Sequence, residues 1–221
     1  MAMESGYPEG NLSMGTQLIP QDFARHIMQQ LGYLCVGDEA PSPENISEVE
    51  KVYEESQRCS TPMFDYCKGG DECKAFLMSD RQWFRNILEQ RFGIAFKHII
   101  KQGPAIIDFK DNEEAEHMMR AHPSRDAISV FRPLKKPAKW DNGLFKLYTL
   151  SHHQTDQEFE KSEGKDAHEV VVDPEQCLFV EGGLYVRLSP KGSTRMVWQG
   201  FSVHPMLEDI ENPKGLPFMK I

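Results

Sequence analysis

Turn signals divide the second half of this 221-residue chain into short apolar segments, and that spacing limits the folds open to it. Asn142-Gly143 and Gly182-Gly183 are two of these signals. The predicted strands are 94–100, 105–109, 127–134, 144–150, 169–172, 176–180, 184–188 and 195–204. No helical pattern alternates with them, which argues against a parallel βαβ sheet. The order predicts an antiparallel sandwich or jelly roll.

The first part of the chain carries helical patterns instead. Apolar residues recur at helical spacing in 20–31 and 43–53, and Ser79 with Gln82 resembles a capping box before a third helix that ends at Gly93. The predicted class is therefore α+β, a double-stranded β-helix (jelly roll) with an N-terminal helical layer. We expect one domain over 1–221: a loose tail at 1–17, a mainly helical part at 18–93 and the jelly roll at 94–210.

The composition of the chain makes some classes of function improbable. The net charge of −9 disfavours binding to nucleic acid or to anionic membrane surfaces. No apolar run approaches the roughly 20 residues that span a bilayer, and the first residues lack a signal-peptide core, so a cytoplasmic location is expected. The five cysteines are irregularly spaced and are expected to be free thiols.

The sequence lacks the common motifs that would let the chain catalyse a reaction by itself. It contains no G-x-S-x-G elbow, no P-loop and no G-x-G-x-x-G fingerprint. None of the eight histidines stands in an H-x-D, H-x-H or H-E-x-x-H arrangement. We therefore predict no metal site and no catalytic residue in this chain.

A resemblance to a known protein family covers roughly residues 105–205. The segment 127–134, the Asn142-Gly143 turn and Ser151-His152 are similar in order and spacing to a pattern of the phytanoyl-CoA-dioxygenase-like Fe(II)/2-oxoglutarate oxygenases. Residues 172–195 resemble the closing strands of that family. The resemblance implies an oxygenase fold whose iron is held by an H-x-D pair and a distal histidine.

At the matching positions the ligands are altered. Phe109 stands where the first histidine belongs and Asp111 where the carboxylate belongs, while Tyr185 and Val186 replace the distal histidine. Arg195 matches the arginine that pairs with the co-substrate's far carboxylate, so the resemblance implies an anion-binding role for it. One carboxylate does not hold Fe(II) without further converging ligands.

This degenerate site predicts a non-catalytic subunit. It would pair as a heterodimer with a homologous active dioxygenase and stabilise it, and that partner would hold the Fe(II) and the 2-oxoglutarate. The precedent is the heterodimeric dioxygenases of fungal meroterpenoid biosynthesis, a branch of secondary metabolism.

Two alternatives stay open. The chain could be an enzyme in its own right, either with iron on His98, His117 or His152 together with Asp111, or as a metal-free isomerase or lyase that uses Asp111, Tyr185 or Arg195. It could also be a binding module unrelated to oxygenases, which failure of the strands to form one jelly roll would indicate.

Overall fold

The computed structural model describes residues 11–13, 23–37, 39–112, 118–161 and 167–204. Within these ranges there are five α-helices and twelve strands. The helices are α1 Phe23–Leu31, α2 Pro43–Glu55, α3 Asp71–Phe76, α4 Gln82–Phe92 and α5 Asp156–Lys161. The strands are β1 Asn11–Ser13, β2 Tyr33–Gly37, β3 Cys59–Ser60, β4 Phe64–Lys68, β5 Ile100–Phe109, β6 Met118–Arg120, β7 Ala127–Pro133, β8 Lys146–Tyr148, β9 Ala167–His168, β10 Gln176–Glu181, β11 Tyr185–Arg187 and β12 Arg195–Ser202.

The strands form two facing sheets. The major sheet has the order β1-β2-β10-β7-β12-β5-β4-β3 and the minor sheet the order β6-β11-β8-β9. From β5 to β12 the chain passes back and forth between the sheets, except that β8 and β9 both lie in the minor sheet. The pairings of these strands with one another are antiparallel. This is the predicted jelly roll, and the fold class is confirmed.

Alternation along β12 shows how the two apolar layers form. Met196 and Trp198 are buried in the layer between the sheets, whereas Val197 and Phe201 are buried in the layer between the major sheet and the helices. Successive side chains of a strand point to opposite faces, so one strand supplies both layers. The major sheet is thus the shared wall of two cores.

Local sequence explains the helical layer. The Ser42 side chain accepts a hydrogen bond from the Asn45 N–H at 3.1 Å and Pro43 follows at the first position, so α2 begins there. Val49 and Tyr53, four residues apart, are its buried face. Gly93, with a φ of 70°, ends α4 in the left-handed conformation that favours glycine.

Arg132 of β7 ties this layer to the major sheet. Its side chain is 1% exposed. Its guanidinium donates to the carbonyls of Pro174 at 2.8 Å, Phe76 at 2.6 Å and Glu39 at 2.6 Å. These carbonyls belong to three separate segments, so one buried side chain fixes their positions.

Several sequence predictions need correction. The 18–93 part, predicted to be mainly helical, also contains the strands β2, β3 and β4, which extend the major sheet. Part of the expected tail, Asn11–Ser13, forms β1 beside β2; residues 1–10 and 14–17, as well as 205–210 at the end of the expected jelly roll, lie outside the described residues. The alternation at 94–100 is a short helical turn at Phe96–His98, and β5 begins only at Ile100.

Two further strands are shorter than predicted. Of 144–150 only Lys146–Tyr148 is a strand, and of 169–172 only Val172 forms a bridge, to Ala138. None of the five cysteines is in a disulfide bond, as expected. In the described ranges, no helix combines the length and the apolar character that crossing a bilayer requires.

Candidate functional site

Phe109 and Val186 share the apolar layer between the two sheets. Phe109 ends β5 and is 5% exposed; its ring lies edge-on to that of Phe64, with centroids 5.9 Å apart. Val186 is fully buried in β11 and lies between Met119 and Leu147 of the neighbouring strands. At both positions, a buried apolar side chain stands where an iron-ligating histidine was expected.

The Asp111 carboxylate holds a loop. Its Oδ1 accepts a hydrogen bond from the Gly192 N–H at 2.8 Å, so it fixes the connection between β11 and β12. The residue itself is exposed. A Cβ on Gly192 would collide with the backbone of Lys110 and Asp111, which explains why glycine stands there.

Tyr185 points away from Val186, to the outer face of the minor sheet. Its hydroxyl donates to Asp156 Oδ1 at 2.6 Å, and its ring stacks on Phe159 with centroids 3.8 Å apart. Burial and the nearby Asp156 raise the pKa of Tyr185 to about 12. The Tyr185 hydroxyl and the Arg120 guanidinium lower the pKa of Asp156 to about 2. At neutral pH the tyrosine stays protonated and the aspartate ionised, so neither is suited to exchange a proton with a substrate.

Arg195 lies on yet another surface, the face of the major sheet that carries the helices. Its Nη2 donates to Asp108 Oδ2 at 2.8 Å, and its Cζ lies 3.8 Å from the ring centroid of Tyr53. Asp108 is directly opposite it on β5. The guanidinium is therefore engaged in joining β12 and β5 to α2.

The five predicted positions do not converge. Phe109 and Val186 meet in one layer, while the side chains of Asp111, Tyr185 and Arg195 are engaged at three other places. The two-residue period of a strand is the reason: Tyr185 must face away from Val186, and Arg195 away from the buried Met196. Matching of sequence order alone could not assign these faces.

The donor set for iron is also lacking in the part of the chain that the structure describes. No three His, Cys, Asp or Glu side chains there come together in a way that could hold a metal ion. His98 is exposed, and His152 places its Nε2 3.1 Å from the Gln29 carbonyl oxygen, beside His153 at 2.8 Å. His117 lies outside the described residues. The described residues do not fit Fe(II), which needs several converging ligands.

Sequence reasoning missed a histidine, His122, which is fully buried next to Gly182. Its Nδ1 accepts from the Ser124 N–H at 3.0 Å, which leaves Nε2–H to donate to Gln102 Oε1 at 2.7 Å. Burial lowers its pKa to about 4, so it is neutral at pH 7. Its sequence context, Ala121-His122-Pro123, carries no signal of this burial.

Comparison with known proteins agrees with the architecture. No protein-family model and no curated protein sequence matches the chain. Among solved structures, the non-heme alpha-ketoglutarate-dependent epimerase SnoN from nogalamycin biosynthesis matches with a TM-score of 0.59 and 12% identity, over 86% of this chain and 88% of that chain. HygX from Streptomyces hygroscopicus, with nickel, 2-oxoglutarate and hygromycin B bound, matches with a TM-score of 0.61 and 10% identity, over 84% and 87%. The chain shares their fold.

A third structure extends the comparison. The non-heme alpha-ketoglutarate-dependent carbocyclase SnoK, also from nogalamycin biosynthesis, matches with a TM-score of 0.61 and 11% identity, over 80% of this chain and 81% of that chain. Identities this low establish the fold alone, because one fold hosts many functions.

Proposed function

We propose that this protein is a non-catalytic subunit that pairs with an active Fe(II)/2-oxoglutarate-dependent dioxygenase and stabilises it in secondary-metabolite biosynthesis of the meroterpenoid type. The observation that carries the proposal is the burial of Phe109 and Val186 in one packed apolar layer inside an oxygenase fold. Side chains that only pack stand at the positions predicted for ligands.

The remaining positions support the same reading. Asp111 and Arg195 keep the residue types expected of a carboxylate ligand and an anion-binding arginine, but both are engaged within the fold. A chain that keeps the fold of an oxygenase but lacks its iron ligands can still bind a partner through the surface of that fold. The iron and the 2-oxoglutarate would then belong to the partner.

Two of the similar structures support the setting in secondary metabolism. SnoN and SnoK come from nogalamycin biosynthesis. An obligate pair of jelly rolls would bury about 2,000 Å² or more, and the partner's apparent stability would then rise with the concentration of this chain.

Co-expression with homologous oxygenases from the same genomic neighbourhood tests the proposal. The full chain is tagged, the candidate partner is untagged, and the mass, iron content and 2-oxoglutarate consumption of the purified species are measured. We expect a one-to-one complex that holds iron and consumes 2-oxoglutarate, and a chain that does neither alone. Stoichiometric iron and 2-oxoglutarate decarboxylation by the chain alone would overturn the proposal, as would failure of every such oxygenase to co-purify.

A further inference from the structure

Two adjacent histidines, His152 and His153, meet the end of helix α1. They belong to the short helical turn Ser151–His153, which follows β8. The Nε2 atoms of both imidazoles lie within hydrogen-bond distance of one oxygen, the carbonyl of Gln29, at 3.1 Å for His152 and 2.8 Å for His153. A carbonyl can only accept, so each imidazole carries a proton on Nε2. In the neutral state, Nδ1 of both histidines is therefore without a proton.

The shared carbonyl lies in the last turn of α1. A helix leaves its last four carbonyls without partners inside the helix. The first of these in α1, the carbonyl of Met28, accepts from the Gly32 N–H at 2.8 Å. The last turn contains no basic side chain that could reach the carbonyl of Gln29. The histidine pair supplies the missing donors and so connects α1, in the helical layer, to the turn that follows β8 of the minor sheet.

His152 fits closely between two glycines. A Cβ on Gly32 would lie 2.7 Å from Nδ1 of His152, and a Cβ on Gly183 would lie 3.4 Å from the Cβ of His152. Among the residues that the structure describes, this buried Nδ1 has no hydrogen-bond partner. A proton added there would be a buried donor without an acceptor, which is unfavourable.

The surrounding charges also oppose a positive charge on His152. Its ring centroid lies 3.9 Å from that of His153. Burial first, and then repulsion from His153 and Arg91, lower the pKa of His152 to about 4, so it is neutral at pH 7. The other charged groups nearby are Glu181, which pairs with Arg91 at 2.8 Å, and Asp126, which acts on both of them. The last turn of α1 and residues 182–184 contain no titratable side chain.

We propose that the His152–His153 pair is a pH-sensitive contact between α1 and the minor sheet, which holds while His152 is neutral and opens when His152 is protonated. In the open form, water would solvate the new Nδ1–H of His152. The proposal does not rest on the proposed function, because it concerns contacts within this chain alone.

The direction of the pH effect follows from where the proton binds more tightly. An exposed histidine takes up a proton near pH 6.5, whereas His152 in the closed contact does so only near pH 4. The contact is therefore at full strength above pH 6.5 and weakens as the pH falls from 6.5 to 4. Between pH 7.5 and pH 5.0, these two values raise the equilibrium constant for opening by about thirtyfold.

Amide hydrogen exchange of the full chain, followed by NMR at pH 7.5 and 5.0 and corrected for the intrinsic effect of pH, tests the contact. The probe is the Gly32 N–H, which is bonded to the last turn of α1. His152→Gln keeps a donor for the carbonyl of Gln29 but does not titrate. We expect protection of Gly32 to fall about thirtyfold more in the unaltered chain than in this variant. His98→Gln, at an exposed position, is the matched control and should behave as the unaltered chain.

An equal fall in the unaltered chain and in His152→Gln would overturn the proposal. So would exchange of Gly32 at pH 5.0 as slow as that of the most protected amides of β12, since the contact would then open only when the whole chain unfolds. If His152→Gln does not fold, an NMR titration of the His152 imidazole in the unaltered chain decides. Loss of Gly32 protection that follows this titration supports the contact, and protection that stays constant while His152 titrates contradicts it.

Discussion

The guanidinium of Arg195 lies over the ring of Tyr53, with Cζ 3.8 Å from the centroid, and so joins the start of β12 to the helix α2. The same side chain pairs with Asp108, and both residues of that pair are partly exposed. A residue expected to bind a co-substrate anion thus connects the helical layer to the major sheet. Substitution of Arg195 should therefore lower the stability of the fold.

We expect Arg195→Ala to lower the free energy of unfolding by about 1–2 kcal/mol, the sum of a cation–π contact and a partly exposed ion pair. Urea unfolding measures this, with the exposed Lys191→Ala as the control that should change little. Added 2-oxoglutarate should shift the melting temperature of neither protein. A ligand-dependent shift that Arg195→Ala abolishes would restore the anion-binding role.

Arg132→Met should be the more damaging arginine substitution. It removes three hydrogen bonds to the carbonyls of Glu39, Phe76 and Pro174, where the Arg132 side chain is 1% exposed. Unpaired buried acceptors cost about 1–3 kcal/mol each, so a loss of at least about 3 kcal/mol is expected. Lys135→Met, at a partly exposed ion pair with Glu50, is the control and should cost under about 1 kcal/mol. Similar losses for both variants would contradict the assigned role.

Val186→His tests the direction of the β11 side chains. Val186 is fully buried among apolar neighbours, and an imidazole there has no partner, so we expect destabilisation by about 1–3 kcal/mol. Met118→His, at a position 49% exposed on the adjacent strand β6, should be close to neutral in the same urea titration. A neutral Val186→His variant would mean that this position is not packed as described.

The strands flanked by strong turn signals were predictable, because period and punctuation are local properties. β7, β10 and β12 lie within one or two residues of their predicted bounds. β6 was missed, since a charged stretch surrounds its three residues. β4 was missed because 56–72 combines Pro, Cys and Gly-Gly, and only pairing with β5 makes Phe64–Lys68 a strand.

The candidate site was harder to predict than the fold. Buried Val186 and Phe109 follow from apolar residues in strands, but the partners of Arg195 and Tyr185 come from α2 and α5, distant in sequence. The contact between Tyr185 and Asp156 spans 29 residues and requires α5, a helix that the sequence analysis did not predict. Side-chain partners of this kind are set by tertiary packing, which local pattern does not encode.

Acid should destabilise the protein through the protonation of His122 in the unfolded chain. Burial lowers the pKa of His122 from 6.5 to about 4, so the unfolded chain takes up a proton first as the pH falls. This contribution is fully present above pH 6.5 and is lost between pH 6.5 and 4, by at most about 3 kcal/mol. His152, whose pKa burial also lowers to about 4, acts in the same window. The stabilising effect of ionised Asp156 is lost only at lower pH, between 3.8 and about 2.

His122→Gln should flatten this profile. Unfolding free energies measured in urea from pH 7.5 to 4.5 should fall less steeply in the variant, because glutamine keeps a polar side chain but does not titrate. Comparing each protein with itself across pH removes the cost of the substitution at neutral pH. The exposed His98→Gln is the control and should follow the unaltered chain. A His122→Gln profile parallel to that of the unaltered chain would show that protonation of His122 does not drive acid unfolding.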